Sequence, residues 1–308
     1  MARCLVIGGN GFVGSHLVDA LVAQGHEVSA FDRFSSNATA YTASGVTRYV
    51  GDFLNSADVA DAVAGHDLVW HFLSTTTPAT AENDPTLDVR TNITASITLF
   101  ETAARLGVKK LYFASTGGAV YGDQTGELVA ESALPQPISP YAIGKLAIEG
   151  YLRYFRRRHG LDSVTFRISN PYGPRQRANK KQGVIPIFLD RVKEGLPLTV
   201  LGDGSMVRDF IYVEDAAREM AGIAGKATRH DLYNIGSGVG HSVSEVVDVV
   251  RQVTGRDVVV ENRPQPPTFV DHVVLDPDRF ASEFGASEHV SLAEGTRRTW
   301  LDTIGGSR

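Results

Sequence analysis

The chain has 308 residues, 43% of them hydrophobic, with a formal net charge of −5 and an isoelectric point near 6.0. This length and apolar content suffice for the buried core of one large domain or of two smaller ones. The mild negative charge predicts neither nucleic acid nor an anionic membrane as a partner. The single cysteine, Cys4, excludes an intrachain disulfide and argues against a cysteine-based zinc site, so no metal is expected.

The first residues enter an apolar run without a signal-peptide pattern. No apolar segment approaches the ~18 residues of a membrane span. We therefore expect a soluble, cytoplasmic protein.

Three glycines follow the first apolar run, residues 3–7, at the start of a helical pattern. Gly8, Gly11 and Gly14 permit a tight strand-to-helix turn, in which a pyrophosphate approaches the amides at the helix N-terminus. A glycine-rich turn without a ligand is the alternative interpretation. The next predicted strand ends at Asp32, however, where a carboxylate can accept hydrogen bonds from an adenosine ribose. That carboxylate would repel a 2′-phosphate, so NAD is favoured over NADP.

Strands alternate with helical segments at a spacing that predicts a parallel sheet covered by helices on both faces, a doubly wound α/β fold. Ligands of such sheets collect at the carboxyl ends of the strands. Asp52 follows the third predicted strand and is placed to touch adenine, although a polar turn residue is an equally good interpretation. His71 in the fourth strand, beside Trp70, is predicted to serve packing rather than catalysis.

Tyr141 and Lys145 lie four residues apart in a predicted helix and therefore share one face. A free tyrosine has a pKa near ~10 and is a poor base at neutral pH, so it needs a neighbouring cation to favour the phenolate. Lys145 can be that cation. The apolar strand 110–114 runs into Ser115 and Thr116, either of which could hold a substrate hydroxyl against the tyrosine. Together these groups predict removal of a proton from an alcohol, with the glycine-rich turn holding the hydride acceptor.

The ordered motifs resemble those of the extended short-chain dehydrogenase/reductases, in the NAD-dependent epimerase/dehydratase family. The first set comprises Gly8-x-x-Gly11-x-x-Gly14, Asp32, Gly51-Asp52, Ser115-Thr116 before Val120-Tyr121-Gly122, and Tyr141-x-x-x-Lys145. A second set is similar to the nucleotide-sugar branch, and most of all to UDP-glucose 4-epimerases: Asn170-Pro171-Tyr172-Gly173-Pro174-Arg175-Gln176, Gly202-Asp203-Gly204 with Arg208-Asp209-Phe210, and Tyr233-Asn234-Ile235-Gly236. The resemblance covers nearly the whole chain.

The resemblance implies a Rossmann-type NAD-binding domain and a smaller, mostly C-terminal α/β domain that binds the nucleotide sugar. A rise in proline and glycine after the strand 163–168 marks the change. We predict the NAD domain over residues 1–169 plus about 211–240, and the substrate domain over 170–210 and 241–308. The resemblance also implies a homodimer formed through the helices 89–106 and 141–159.

By the resemblance, Tyr141 is the catalytic base, Lys145 lowers its pKa and holds the nicotinamide ribose, and Thr116 binds the reacting hydroxyl. An alignment without gaps would put Gly117 at the hydroxyl position, but glycine has no side chain, and Ser115 is the second choice. The remaining predicted substrate-binding residues are Asn170, Val184, Arg208 and Arg263, of which the two arginines and the asparagine match positions that hold the diphosphate. Besides Tyr141 and Lys145, the predicted NAD-binding residues are Gly8, Gly11, Phe12, Val13, Gly14, Asp32, Asp52, Phe53, Phe72 and Leu73.

Enzymes of this family run several reactions on the same apparatus, so residues outside the shared set must choose among them. The 4,6-dehydratases use an Asp-Glu pair directly after the catalytic threonine, where this chain has Gly117 and Gly118. We therefore predict 4-epimerisation of a UDP-hexose through a transient 4-keto intermediate, with UDP-glucose, UDP-galactose and the N-acetyl forms as candidates. The two glycines are expected to leave room for the keto sugar to turn. A 4-reductase, a decarboxylase, a 4,6-dehydratase and a non-enzymatic NAD-sensing protein are the alternatives.

Overall fold

Strands and helices alternate along the computed structural model, which describes residues 1–35, 38–124, 126–176, 183–265 and 269–305. The strands are β1 (Arg3–Ile7), β2 (Glu27–Asp32), β3 (Thr47–Val50), β4 (Leu68–His71), β5 (Lys110–Thr116), β6 (Ser163–Ile168), β7 (Asn170–Tyr172), β8 (Leu198–Leu201), β9 (Val207–Tyr212), β10 (Leu232–Ile235), β11 (Gly240–Ser242), β12 (Val260–Arg263) and β13 (His272–Val273).

The helices before residue 160 are α1 (Phe12–Ala23), α2 (Ser56–Val63), α3 (Pro78–Asn83), α4 (Pro85–Asp88), α5 (Thr94–Arg105), α6 (Gly117–Val120) and α7 (Pro140–His159). A π-helical turn, Val89–Ile93, joins α4 to α5. The later helices are α8 (Val184–Glu194), α9 (Val213–Gly222), α10 (Val243–Thr254), α11 (Asp278–Phe284) and α12 (Leu292–Gly305). None of the helices within the described ranges is long and apolar enough to cross a membrane.

Seven strands form one sheet in the order β10-β6-β5-β4-β1-β2-β3. The pairs around β1 are parallel, with Ile7 opposite Phe31 on β2 and opposite His71 on β4. Both faces of these strands are buried, which explains why they read as continuous apolar runs. The chain moves outward from β1 in both directions, so the loops after β1 and β4 leave the sheet at a topological switch point. The predicted doubly wound fold is confirmed.

The first of two compact units comprises residues Met1–Thr116, Ser139–Arg167 and Ala217–Tyr233. Its apolar core joins one face of the sheet to helices α2, α5 and α7, with Phe100 and Phe155 in edge-to-face contact 5.9 Å apart. Elsewhere in the sheet, Trp70 of β4 stacks on Tyr112 of β5, with ring centroids 3.8 Å apart. The helix α7 thus packs against the sheet beside β5, the strand that carries the predicted catalytic hydroxyl.

The second unit comprises Gly117–Ile138, Ile168–Ala216 and Asn234–Arg308. Strand β9 is its centre, because β7, β11 and β13 all pair with it. A two-stranded parallel sheet, β8 with β12, lies in the same unit. This division differs from the predicted domain boundaries, since residues 117–138 belong to the second unit. The predicted helix 89–106 also differs, because its first turn is π-helical.

Candidate active site

The glycine-rich turn after β1 is closed by contacts that only glycine permits. Gly8 has φ of +85°, and a Cβ there would lie 2.8 Å from the backbone nitrogen of Leu73. A Cβ on Gly14 would lie 2.1 Å from the carbonyl oxygen of Gly8. Gly11 caps α1 without a side-chain hydrogen bond, so the helix presents backbone donors at its N-terminus. A backbone cradle at an uncapped helix N-terminus suits the pyrophosphate of NAD.

Two carboxylates follow at the ends of the next strands. Asp32 Oδ2 accepts from the Asn10 backbone nitrogen at 3.1 Å. Asp52 pairs with Arg33 at 3.1 Å. The Leu54 backbone N–H, followed by Arg33, lowers the pKa of Asp52. The Arg33 guanidinium is thus already paired with a carboxylate. This pairing fits NAD better than NADP, whose 2′-phosphate would need a cation there.

The other predicted NAD-binding residues lie at strand ends and at the start of α1, where Phe12 and Val13 are half-buried. Phe53 is buried in the core, 5.1 Å from the His71 ring between centroids. Phe72 and Leu73 continue β4 directly into the wall of the glycine turn, since the Phe72 backbone nitrogen donates to Ile7 O at 2.9 Å.

His71 has a packing role, as predicted. The ring is buried and its Nε2 lies 2.8 Å from Ser96 Oγ. Burial, followed by the positive charge of Lys145, lowers the pKa of His71 to about 3. The imidazole is therefore neutral at physiological pH and belongs to the core.

Helix α7 positions the predicted Tyr141–Lys145 pair. Ser139 caps the helix by accepting from the Ala142 backbone nitrogen, and Pro140 occupies the first turn, where its missing N–H costs nothing. Gly160, with φ of +68°, ends the helix after a basic last turn that complements the helix dipole. The helix therefore starts one residue before Tyr141, which places the pair in its first two turns.

Lys145 is held against the end of β5. Its Nζ donates to the carbonyl oxygen of Ala114 at 2.9 Å and lies 5.7 Å from the centroid of the Tyr141 ring. Burial lowers the pKa of Lys145 to about 8, against the opposing charges of Asp88 and Glu149. Burial, with a further contribution from Asp88, raises the pKa of Tyr141 to about 12. The sequence prediction that these two side chains lie together is thus met by the geometry.

The two candidate hydroxyls at the end of β5 have different surroundings. Ser115 is buried and donates to Glu149 Oε1 at 2.6 Å. Arg167 also binds Glu149, with Nη2 to Oε2 at 2.7 Å. Ser115 therefore helps to hold a buried ion pair, whereas Thr116 is half-buried at the last position of the strand. This arrangement favours Thr116 over Ser115 as the hydroxyl that meets a substrate.

The glycines after Thr116 form the first turn of the short helix α6. A Cβ on Gly118 would lie 3.2 Å from Oδ1 and 3.3 Å from Nδ2 of Asn170. The space that Gly118 leaves is thus lined by an amide side chain of the same unit. Gly118 thus lets the Asn170 side chain approach the backbone, and the expectation that the two glycines leave room for a sugar stays a prediction.

Asn170 and Arg208, predicted to hold a diphosphate, lie on the paired strands β7 and β9 of the second unit. Asn170 Nδ2 donates to the carbonyl oxygen of Asp209 at 2.9 Å. The Arg208 guanidinium donates to the carbonyls of Val207, at 2.8 Å, and of Val270. Burial lowers the pKa of Arg208 to about 10, opposed by Asp271 and Asp123, so the side chain stays cationic at neutral pH.

The other two predicted substrate-binding residues lie on other elements of the second unit. Val184 begins α8 and packs against the core of the second unit. Arg263 ends β12, and its exposed side chain lies 3.9 Å from Glu261. Neither position is held by a buried polar network, so both remain predictions that rest on the family resemblance.

Sequence reasoning missed the role of Asp209, the residue after Arg208. Its carboxylate is buried and accepts from the backbone nitrogen of Ser237 at 2.9 Å, from the Ser237 hydroxyl at 2.7 Å, and from the Leu275 backbone nitrogen at 3.3 Å. Burial raises the pKa of Asp209. A Cβ on Gly236 would lie 2.3 Å from its Oδ2. The Asp209 carboxylate therefore joins the Arg-Asp-Phe motif to the loop that follows the Asn-Ile-Gly motif, and we call this arrangement the Asp209 clasp.

Asn234 has a comparable structural role. It is fully buried, accepts from the Tyr121 hydroxyl at 2.7 Å and donates to the carbonyl oxygen of Val129 at 2.8 Å. Two motif residues that are far apart in the chain, the tyrosine of Val-Tyr-Gly and the asparagine of Tyr-Asn-Ile-Gly, thus bond to each other. No group of three or more His, Cys, Asp or Glu side chains within the described ranges is placed to hold a metal ion.

Comparison with known proteins identifies the family. The sequence pattern of the NAD dependent epimerase/dehydratase family matches residues 4–236. The chain belongs to this family. Its members are NAD-dependent enzymes, and the glycine cradle, Asp32 and the Tyr141–Lys145 pair of this chain are the parts that fit that cofactor.

Individual relatives cover nearly all of this family member. UDP-glucose 4-epimerase of Mycolicibacterium smegmatis is 32% identical over 96% of this chain and 97% of the relative. The crystal structure of Thermus thermophilus UDP-glucose 4-epimerase, a complex with NAD, is 35% identical with a TM-score of 0.90 over 98% of this chain and 99% of that one. The Thermotoga maritima UDP-glucose 4-epimerase structure, with UDP-glucose, is 33% identical with a TM-score of 0.91 over 99% and 100%.

Proposed function

We propose that this enzyme interconverts the C4 epimers of a UDP-hexose, with UDP-glucose and UDP-galactose as the first candidates. The observation that carries the proposal is the Lys145 ammonium, fixed on the Ala114 carbonyl beside the Tyr141 ring, at the end of a strand that supplies a hydroxyl but no acid. Relatives named as UDP-glucose 4-epimerases, similar over almost the full chain, support the same choice.

In the proposed reaction, Tyr141 accepts the proton of the C4 hydroxyl and later returns it. Lys145 supplies the positive charge that favours the phenolate. Burial, followed by the charge of Asp88, acts in the opposite direction and raises the pKa of Tyr141 to about 12. Thr116 holds the same hydroxyl by hydrogen bonding. NAD, when bound, supplies a reversible acceptor for the hydride on C4. After the hydride has left C4, the 4-keto sugar turns so that its opposite face is presented for the return of the hydride.

The lack of a second acid argues for epimerisation over dehydration. A 4,6-dehydration must protonate a hydroxyl that leaves from C6, whereas Gly117 and Gly118 carry no proton donor. Similar proteins do include a dTDP-glucose 4,6-dehydratase and a UDP-N-acetyl-alpha-D-glucosaminuronate decarboxylase, so the reaction has to be measured. Epimerisation needs only the proton carrier, the hydride acceptor and a substrate that can turn.

The nucleotide diphosphate is proposed to bind to Arg208 and Asn170, with Arg263 as a third contact. Arg208 is cationic, and a guanidinium pairs well with phosphate oxygens. Its two terminal nitrogens also donate to the carbonyls of Val207, Asp271 and Val270, which orients the side chain. A diphosphate held at a fixed point would allow the sugar to rotate about the bonds that join it to the nucleotide. N-acetylated sugars are proposed as further substrates, since a structural relative is a UDP-N-acetylglucosamine 4-epimerase.

A proton NMR time course tests this function directly. Purified enzyme with UDP-galactose is expected to form UDP-glucose with no added reductant, and UDP-N-acetylgalactosamine should be tried in parallel. Tyr141→Phe should slow conversion by about 10² to 10⁴-fold, the usual contribution of a positioned proton carrier. Tyr154→Phe, at an exposed position of the same helix, is the matched control and should keep wild-type rates. Absence of conversion with every UDP-hexose would refute the proposed reaction.

We also propose that two copies of the chain associate through α5 and α7. Ile143, Tyr151 and Tyr154 are exposed on α7 at spacings of eight and three residues, which puts them on one side of the helix. Val89, just before α5, is also exposed. Light scattering after gel filtration should give twice the chain mass of 33.2 kDa, and Tyr154→Glu should reduce it to that of one chain.

A further inference from the structure

A buried carboxylate outside all the sequence motifs lies against the helix that carries the catalytic pair. Asp88, at the end of α4, is 3% exposed. A Cβ on Gly144 would lie only 1.9 Å from its Oδ2, so the carboxylate touches the backbone of α7 between Tyr141 and Lys145. Because Gly144 has no side chain, an acid from another helix fits against α7 between the two catalytic residues.

The hydrogen bonds of Asp88 come from neighbouring hydroxyl and amide groups. Its Oδ1 accepts from Thr76 Oγ1 at 2.5 Å and from Asn92 Nδ2 at 2.7 Å. Asn92 in turn donates to Thr76 Oγ1 and accepts from the Thr75 backbone nitrogen, which fixes the cluster as a unit. Both donors to Asp88 are neutral, and the structure records no ion pair for it among the described residues.

Glu149, the other acid near Lys145, differs in this respect. Its two carboxylate oxygens are bound by Arg167, and Ser115 adds a third donor. Glu149 therefore has a bound cation of its own, and its charge is the smaller of the two negative charges that act on Lys145. Asp88 remains as the acid whose negative charge acts on Lys145 without a bound cation of its own.

We propose that Asp88 is a positioning residue that fixes the catalytic turn of α7 through its contact with Gly144 and supplies a negative charge that favours the charged form of Lys145. The proposal rests on the roles given above to Tyr141 and Lys145. A buried ammonium that hydrogen-bonds one carbonyl is costly unless a counter-charge lies near, and Asp88 supplies that counter-charge from a separate helix. Its contact with Gly144 also fixes the distance between α4 and the catalytic turn.

The charged and titratable groups that face Lys145 can be named from each element around it. Tyr141 and Glu149 share its helix, Asp88 comes from α4, and His71 comes from β4. Strand β5 contributes neutral groups, the Ala114 carbonyl and the Phe113 ring at 4.9 Å from Nζ. Glu149 carries a bound cation, Arg167, and His71 is uncharged, whereas Asp88 is the larger of the two negative charges that raise the pKa of Lys145.

The first test measures the titration of Lys145 without any substrate. The sequence has seven lysines, so NMR of protein labelled with ¹³C at the lysine ε-carbon is tractable, and Lys145→Met assigns the signal. The wild-type midpoint is expected near pH 8. In Asp88→Asn, where the amide oxygen can still accept from Thr76 and Asn92, the midpoint should fall by about one pH unit. Asp84→Asn removes an exposed acid one turn away on the same segment and should leave it unchanged.

The second measurement uses activity. In Asp88→Asn the loss of activity at high pH should begin at lower pH than in wild type, by the same amount as the NMR midpoint. A residue needed only for folding would reduce the rate at every pH alike. An unchanged Lys145 midpoint in a folded Asp88→Asn protein would overturn the proposal. The NMR result is independent of the sugar, so failure of the proposed epimerase reaction would not be confused with failure of this inference.

A pair of variants tests the packing in case Asp88→Asn does not fold. Gly144→Ala alone should lower the unfolding midpoint, because the new methyl group overlaps the carboxylate. Gly144→Ala combined with Asp88→Ala removes that overlap and should recover part of the loss, while the Lys145 midpoint stays low. Additive losses in the double variant would contradict a direct contact between the two positions.

Discussion

The two units of the molecule use their motif residues in opposite ways. In the first unit, Tyr141 and Lys145 are the residues proposed to carry the chemistry, and charges outside the motifs, Asp88 and Glu149, act on them. In the second unit, the motif residues Asp209 and Asn234 are fully engaged in holding loops and strands together. Membership of a motif therefore does not separate residues with a chemical role from residues with a structural one.

The largest expected effect lies in the first unit. Lys145→Met should reduce kcat by about 10³-fold, or about 4 kcal/mol, because the tyrosine loses the cation that favours its phenolate. Thermal unfolding should change little or improve, since a buried ammonium is replaced by an apolar chain. Steady-state rates and a melting curve of the same sample measure both.

Lys193→Met, at an exposed lysine of α8 that donates to Thr303, is the matched control and should retain full activity. A folded Lys145→Met enzyme with wild-type kcat would remove the proposed distinction between the two units.

The second unit should give the reverse result. Asp209→Ala is expected to lower the free energy of unfolding by about 3 kcal/mol, because it leaves buried backbone N–H groups of Ser237 and Leu275 without an acceptor. Urea denaturation measures the loss. Asp203→Ala, an exposed acid before the same strand whose partners are in Ser205, should unfold near the wild-type midpoint. Equal stability of the two variants would show that Asp209 is not a clasp.

Local sequence patterns predicted the parts whose geometry is local. The glycine turn follows from residues three apart, and the Tyr141–Lys145 pair follows from the helical repeat. The contacts of Asp88 with Gly144, and of Gly118 with Asn170, join residues more than fifty positions apart. Such contacts depend on how helices pack and on which strands become neighbours, and no spacing in the sequence encodes them.

The choice between two adjacent hydroxyls shows the same limit. Ser115 and Thr116 are chemically alike in the sequence, and only the family resemblance favours Thr116. In the structure the two hydroxyls differ in burial, and only Ser115 is described as donating to Glu149. That hydrogen bond depends on how α7 packs against β5. The domain boundaries likewise depend on tertiary contacts, because such contacts group residues 117–138 with the second unit.

The smallest expected effect tests whether any motif residue of the second unit keeps a direct role. Arg208→Lys preserves a positive charge but loses the planar fork, so KM for the nucleotide sugar should rise about tenfold with little change in kcat. Arg297→Ala, an exposed arginine of the same unit paired with Glu294, should leave KM unchanged. Melting curves must accompany the kinetics, because Arg208 also donates to the carbonyls of Val207 and Val270. If Arg208→Lys lowers stability while KM stays at the wild-type value, Arg208 joins Asp209 as a structural residue, and the diphosphate must be held elsewhere.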